Sequence, residues 1–123
     1  MLRPGHALVR AKYLSLCGSD IRMLHFAPEH EYPFPPGTTG HELVGVVEAI
    51  DAPGSNIKAG DLVLALAPNH IAMAEYYLAP IDYVLPLPSG MPIEHLLQAQ
   101  QLGTVIFACQ RLPEVAGKSV AII

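Results

Sequence analysis

The sequence predicts a mainly β fold, a small barrel or sandwich, followed by a helix and the opening of one more strand. Three observations predict it. Five short strand-like runs are separated by turn-forming segments. Glycine and proline are frequent, 10 and 12 among 123 residues, which fits many turns and few long helices. Near the C-terminal end the pattern changes to helical spacing and then to a continuous apolar run.

The elements follow in order. Residues 6–13 alternate: Ala7, Val9, Ala11 and Tyr13 share one face, Arg10 and Lys12 the other, as in a half-buried strand. Residues 43–50 are almost wholly apolar and form a second strand, with Gly45 as a bulge or a point of close backbone approach. Asp51-Ala52-Pro53-Gly54-Ser55-Asn56 is turn chemistry, and Ala59-Gly60-Asp61 is another turn that starts a strand over 62–67. Residues 74–79 and 83–87 read as two further strands, parted by Pro80-Ile81-Asp82. Pro92 suits the first turn of a helix. Leu96, Leu97, Gln100, Thr104, Phe107 and Ala108 follow at helical spacing, so a helix is expected over about 93–112, broken near Gly103, with Cys109 in the core. Leu112-Pro113 ends it, because the residue before proline disfavours helix. Residues 119–123 read as a strand buried on both faces, which needs neighbours that the sequence does not go on to supply, so the chain is expected to be a truncated one.

Composition excludes several functions. Acidic residues outnumber basic ones, 11 against 7, for a formal net charge of −4. Nucleic acid and anionic membrane both want a basic face, so neither is the expected partner. Hydrophobic residues make up 51% and charged residues 15%, below the roughly 25% charged share of ordinary soluble domains. Such a chain is globular, and apolar enough to be expected to carry a surface meant for another part of a larger protein. Two cysteines, Cys17 and Cys109, cannot make a disulfide scaffold and fit a reducing compartment. No signal peptide and no apolar run of about 18 residues is present, so the expected location is cytoplasmic.

The chemistry lies in two clusters, Cys17-Gly18-Ser19-Asp20 and Gly37-Thr38-Thr39-Gly40-His41-Glu42. Together they offer a thiolate, an imidazole and a carboxylate, the ligand types that suit Zn²⁺. Three protein ligands and one open position is the catalytic arrangement. Adjacent side chains on a strand point to opposite faces, so His41 and Glu42 reach one ion only if the backbone turns there, as Gly37 and Gly40 permit. Asp20 is placed to hold His41 in one tautomer, and Ser19 to pass a proton near the metal. The plainer readings stand beside these. A lone cysteine is usually a small buried hydrophobe, a His-Glu pair usually sits on a solvated loop, and Ser19-Asp20 equally suits a cap on a helix starting at Ile21.

These motifs, with Pro36-Gly37 before the second cluster and Gly45-Val46-Val47, Ala59-Gly60-Asp61-Leu62-Val63, Ala74-Glu75-Tyr76 and Val84-Leu85-Pro86-Leu87-Pro88 after it, resemble the catalytic domain of zinc-dependent medium-chain alcohol and polyol dehydrogenases. The resemblance implies a GroES-like, partly open β-barrel over residues 1–90, a connecting helix over 91–112, and over 113–123 the start of a Rossmann nucleotide-binding domain, truncated before its glycine-rich turn. It implies Cys17, His41 and Glu42 as the metal ligands of one catalytic Zn²⁺. It implies Ser19 as the hydroxyl that takes the substrate's proton and Asp20 as the acid that orients His41. Some members place a later glutamate at the metal, and Gln100 stands at that position here, so the third ligand lies between Glu42 and the region of Gln100. Arg22 stands where a relay histidine is common. Residues 68–73 replace a four-cysteine lobe, so no structural zinc is expected. His25, His30 and His70 are the loop histidines within reach of a site. The implied reaction moves a hydride between an alcohol or polyol (or its carbonyl) and NAD or NADP, in a homo-oligomeric full-length enzyme. No cofactor-binding residue falls within this chain, so alone it is expected to be inactive. A zinc-free reductase relative and a non-enzymatic barrel module are the alternatives.

Overall fold

The computed structural model describes residues 1–121. Five strands form one antiparallel sheet: β1 (His6–Ser15), β2 (Glu42–Asp51), β3 (Leu62–Leu66), β4 (Tyr76–Pro80) and β5 (Val84–Pro86). Their order is β4-β1-β2-β3-β5, so β4 and β5 are the outer strands and the sheet does not close into a complete barrel. Helix α1 (Gly18–Phe26) follows β1, and α2 (Ile93–Leu96) and α3 (Ala99–Gln110) follow the sheet. Short 3₁₀ turns occupy Glu29–Glu31 and Ile81–Tyr83.

The sheet buries side chains on both faces. Ala7 and Val9 of β1, Leu43 and Val47 of β2, and Val63 and Ala65 of β3 form the inner core with Tyr77 and Ala79 of β4. The alternate residues Val44 and Leu64 face the other way and meet Leu96 of α2, with Leu62, Leu66, Ile93 and Ala99 packed around them. This explains why the sequence of β2 is apolar at nearly every position: the alternation of strand side chains sends each to a different covered face. Gly45 lies opposite Ala11 at the tightest point of the β1–β2 pair. A Cβ there would overlap the Arg10 carbonyl oxygen and the Val9 side chain, which is the close approach expected of it.

The register of β1 on β2 shifts twice. Leu8 pairs with Ala49 but Val9 with Val47, leaving Glu48 extra on β2, where its carboxylate meets Arg10. Ala11 pairs with Gly45 but Tyr13 with Val44, leaving Lys12 extra on β1. The second bulge corrects the expected face of Tyr13. Tyr13 turns outward and its hydroxyl donates to Glu94 Oε1 (3.3 Å), while Leu14 packs against the inner core.

The C-terminal part departs from expectation in three ways. The helical stretch breaks at Leu97–Gln98 and not at Gly103, which stays inside α3. Leu96 seats α2 on the sheet, and the chain then changes direction into α3. Cys109 is exposed, not a core residue, because α3 rests on the sheet only through its first turns; Leu102, Val105, Ile106 and Phe107 are exposed as well. Residues 119–121 are exposed and belong to no strand or helix, so no buried strand forms among the described residues; Ile122 and Ile123 of that expected strand lie outside them. No helix among the described residues is long and apolar enough to cross a membrane.

Candidate metal centre

Three segments meet at the site: the start of α1, the glycine-rich approach to β2, and the loop after β3. Cys17 is the N-cap of α1. Its Sγ accepts from the Ser19 N–H (3.3 Å), and the Asp20 carboxylate accepts from the Cys17 N–H (3.0 Å), a reciprocal capping box. The helix therefore starts at Gly18, one turn earlier than a cap at Ser19-Asp20 implied. Asp20 both caps and faces the second cluster.

That cluster turns sharply before β2 begins. Thr39 and Gly40 have φ of 81° and 74°, in the left-handed region. Glycine suits position 40, since a Cβ there would also meet Leu14 Cδ1 at 2.5 Å and push that side chain aside. The turn makes His41 and Glu42 converge rather than point to opposite faces. His41 Nε2 lies 3.1 Å from Glu42 Oε1 and 3.8 Å from Cys17 Sγ. One donor atom from each of the three lies within 4.8 Å of the others. Zinc bonds of about 2.0–2.3 Å place tetrahedral ligand atoms roughly 3.3–3.6 Å apart, so this donor set fits a single ion.

The surroundings hold these donors in place. Glu42 is buried, and its Oε2 accepts from Ser15 Oγ (2.5 Å) and from Gln101 Nε2 (2.5 Å), which leaves Oε1 turned to His41. Ser15 faces Glu42 across the β1–β2 pair, downstream of the Lys12 bulge. Asp20 is fully buried. Burial pushes its carboxyl up, but hydrogen bonds from the Cys17 N–H, from His70 and from the Gly40 N–H, with the adjacent His41, outweigh that and hold it at about 2. Asp20 is thus an anion whose Oδ2 lies 3.4 Å from His41 Nδ1, a ring nitrogen that is buried and makes no hydrogen bond of its own. Ser19 is exposed, with Oγ 2.8 Å from Cys17 Sγ.

Beside the donors lies an open cleft of about 360 Å³, bounded by Cys17, His41, Glu42, Gln100, Gln101, Thr104 and Val105. Gln101, and not Gln100, touches Glu42; Gln100 lines the cleft and reaches Thr104 Oγ1 (3.4 Å). Arg22 is exposed on α1, and His25 and His30 are exposed and belong to neither metal-competent cluster among the described residues. His70 does belong to one, since its Nδ1 lies 3.0 Å from Asp20 Oδ1. Sequence reasoning missed Ser15 and Gln101. The strand register carries the signal for Ser15, but only once the Lys12 bulge is known.

Comparison with known proteins agrees with this architecture. Residues 3–89 match the family described as Alcohol dehydrogenase GroES-like domain. An L-threonine 3-dehydrogenase of Caldanaerobacter subterraneus subsp. tengcongensis is 29% identical over 150 aligned positions, covering 98% of this chain and 42% of that protein. A trans-enoyl reductase of Botryotinia fuckeliana is 32% identical over 90 positions, covering 72% of this chain and 23% of its own. The crystal structure of a probable oxidoreductase from Mycobacterium abscessus superposes with a TM-score of 0.72 at 29% identity, over 90% of this chain and 35% of that one. The chain thus spans less than half the length of these relatives. With the family match running through all five strands and both chemical clusters, the chain belongs to the alcohol dehydrogenase GroES-like domain family.

Proposed function

We propose that this chain is the catalytic-domain part of a zinc-dependent oxidoreductase that moves a hydride between an alcohol or polyol, or the matching carbonyl, and NAD or NADP. The observation that carries the reading is the convergence of Cys17, His41 and Glu42 on one cleft. Cys17, His41 and Glu42 would hold a zinc ion, which would supply Lewis acidity toward an alcohol or carbonyl oxygen. The Cys17 thiolate and the Glu42 carboxylate bring two negative charges to balance the ion's two positive ones, which moderates that Lewis acidity. Ser15 and Gln101 hold one oxygen of Glu42 so that the other stays turned to His41. Ser19, exposed beside Cys17, takes the proton of the substrate hydroxyl and hands it to solvent. Asp20 orients His41. The nicotinamide cofactor goes with the longer relatives, of which this chain spans 42% and 23%. The domain reading is a barrel over 1–90, a connecting helix over 91–112 and the beginning of the cofactor domain over 113–123. A homo-oligomer and a cytoplasmic location go with it; Cys17 and Cys109 are both free, as a reducing compartment allows.

A second reading is a zinc-free reductase; the trans-enoyl reductase relative supports its reductase part. Zinc content separates the two. The zinc reading expects one zinc per folded chain, lost in C17S and H41A, and in the longer protein NAD(P)-linked alcohol oxidation that disappears with the same substitutions. A folded chain without zinc, or activity that survives C17S, gives the second reading its place.

A further inference from the structure

We infer that His70 is a positioning residue for the candidate metal centre: through Asp20 it fixes the His41 ring with Nδ1 toward that carboxylate and Nε2 toward Cys17 and Glu42. The inference rests on the zinc reading above, but its first test does not.

The buried Asp20 carboxylate is shared among four groups. Oδ1 accepts from the Gly40 N–H (2.8 Å) and from His70 Nδ1 (3.0 Å). Oδ2 accepts from the Cys17 N–H (3.0 Å) and faces His41 Nδ1 at 3.4 Å. Two of the donors are backbone amides, and His70 is the side chain that completes the grip. A carboxylate held at Oδ1 from two sides keeps Oδ2 turned toward His41 Nδ1, while Glu42 Oε1 lies 3.1 Å from the ring's other nitrogen, so the imidazole is aligned between two carboxylates. The His70 ring also lies against His41 itself, with centroids 4.6 Å apart and a 46° tilt.

The backbone shows that His70 is held in this place at a cost. Its φ is 52°, a left-handed conformation that disfavours a residue with a Cβ, and Thr39 opposite has φ of 81°. The two are tied together: the Thr39 N–H donates to the His70 carbonyl (2.7 Å), and the His70 N–H to the Ala67 carbonyl (2.8 Å). Such conformations persist where the surroundings over-determine them, and they gather at functional sites. Asp20, His41 and His70 also form a metal-competent group by distance. Three N–H donors already point at Asp20, however, and their positive ends repel a cation from it, so the cluster acts as a brace for His41.

The test uses nitrogen NMR of the histidine rings and two substitutions that both tolerate the left-handed backbone. H70N keeps an N–H donor at nearly the Nδ1 position; H70G removes it. In the metal-free parent chain, His70 is expected to carry its proton on Nδ1, the nitrogen that faces Asp20. The His41 ring nitrogens are expected to keep their parent shifts in H70N and to move in H70G. Zinc affinity is expected to fall about 10- to 100-fold in H70G and to stay close to the parent in H70N. A His70 ring protonated on Nε2 alone in the parent overturns the inference, and this measurement needs no variant. So does an H70G chain that matches the parent, or an H70N chain that loses as much as H70G. A parent that binds no zinc sinks the functional reading alone, while the His70 tautomer and the His41 ring shifts still decide the role of His70.

Discussion

Asp20 shows how much one side chain can carry. Its carboxylate caps α1, ties down the Gly40 turn and faces the imidazole of the candidate ligand. Its folded pKa of about 2 lies below the ordinary 3.8, so the stability it contributes is fully present above about pH 4 and is lost as pH falls toward 2. The shift is worth about 2 kcal/mol. With metal chelated, D20N should be less stable than the parent at neutral pH by at least that much, and the difference should shrink below about pH 3 in urea melts. A constant difference across pH would place the effect in packing rather than charge. Gly45 is the second residue on which the fold turns. G45A should cost on the order of 1–3 kcal/mol, because the new methyl meets the Arg10 carbonyl of a paired strand and not a side chain that can swing away. Both residues are visible in the sequence as motif members. That Asp20 also binds His70 is not, because the contact joins segments fifty residues apart.

Among elements, the strands were the most legible and the helices the least. Alternation identified the inner face of β1 as far as Ala11, and Ala7 and Val9 are fully buried. The pattern then misleads, since Tyr13 and Leu14 are both good strand residues and nothing local marks Lys12 as extra. The bulge that hides there is what brings Ser15 opposite Glu42. The helix break was misplaced for a related reason. Gly103 is a weak helix former, but it sits in open space on α3 and nothing forces the helix to end. The break falls instead where Leu96 must seat on Val44 and Leu64 and where Gln101 must reach Glu42. L96A should cost about 2–5 kcal/mol, the range for a buried leucine. Hydrogen exchange should quicken in α2 and α3 while β1 and β2 keep their protection. Uniform quickening through the sheet would mean that the two cores are one cooperative unit.

Across the whole molecule, one sheet separates two tasks. Its inner face forms the core that sets the register of β1 and β2, and its other face carries the helices that supply Gln101. The candidate donors stand at the end of the β1–β2 pair, where a helix cap and a strained turn are brought together. Cys17, His41 and Glu42 were legible because each residue type has ligand chemistry and because glycine marks the turn that joins them. Ser15 and Gln101, which touch Glu42, were not, and His70 was legible only as a histidine within reach of a site, because each meets a partner that only the folded chain supplies. X-ray absorption on the zinc-loaded chain addresses the convergence directly. It should find a four-coordinate ion with one sulfur near 2.3 Å and three nitrogen or oxygen neighbours at about 2.0–2.2 Å, one of them an exchangeable water. A shell without sulfur, or one with six oxygen or nitrogen neighbours, would contradict a centre built from Cys17, His41 and Glu42.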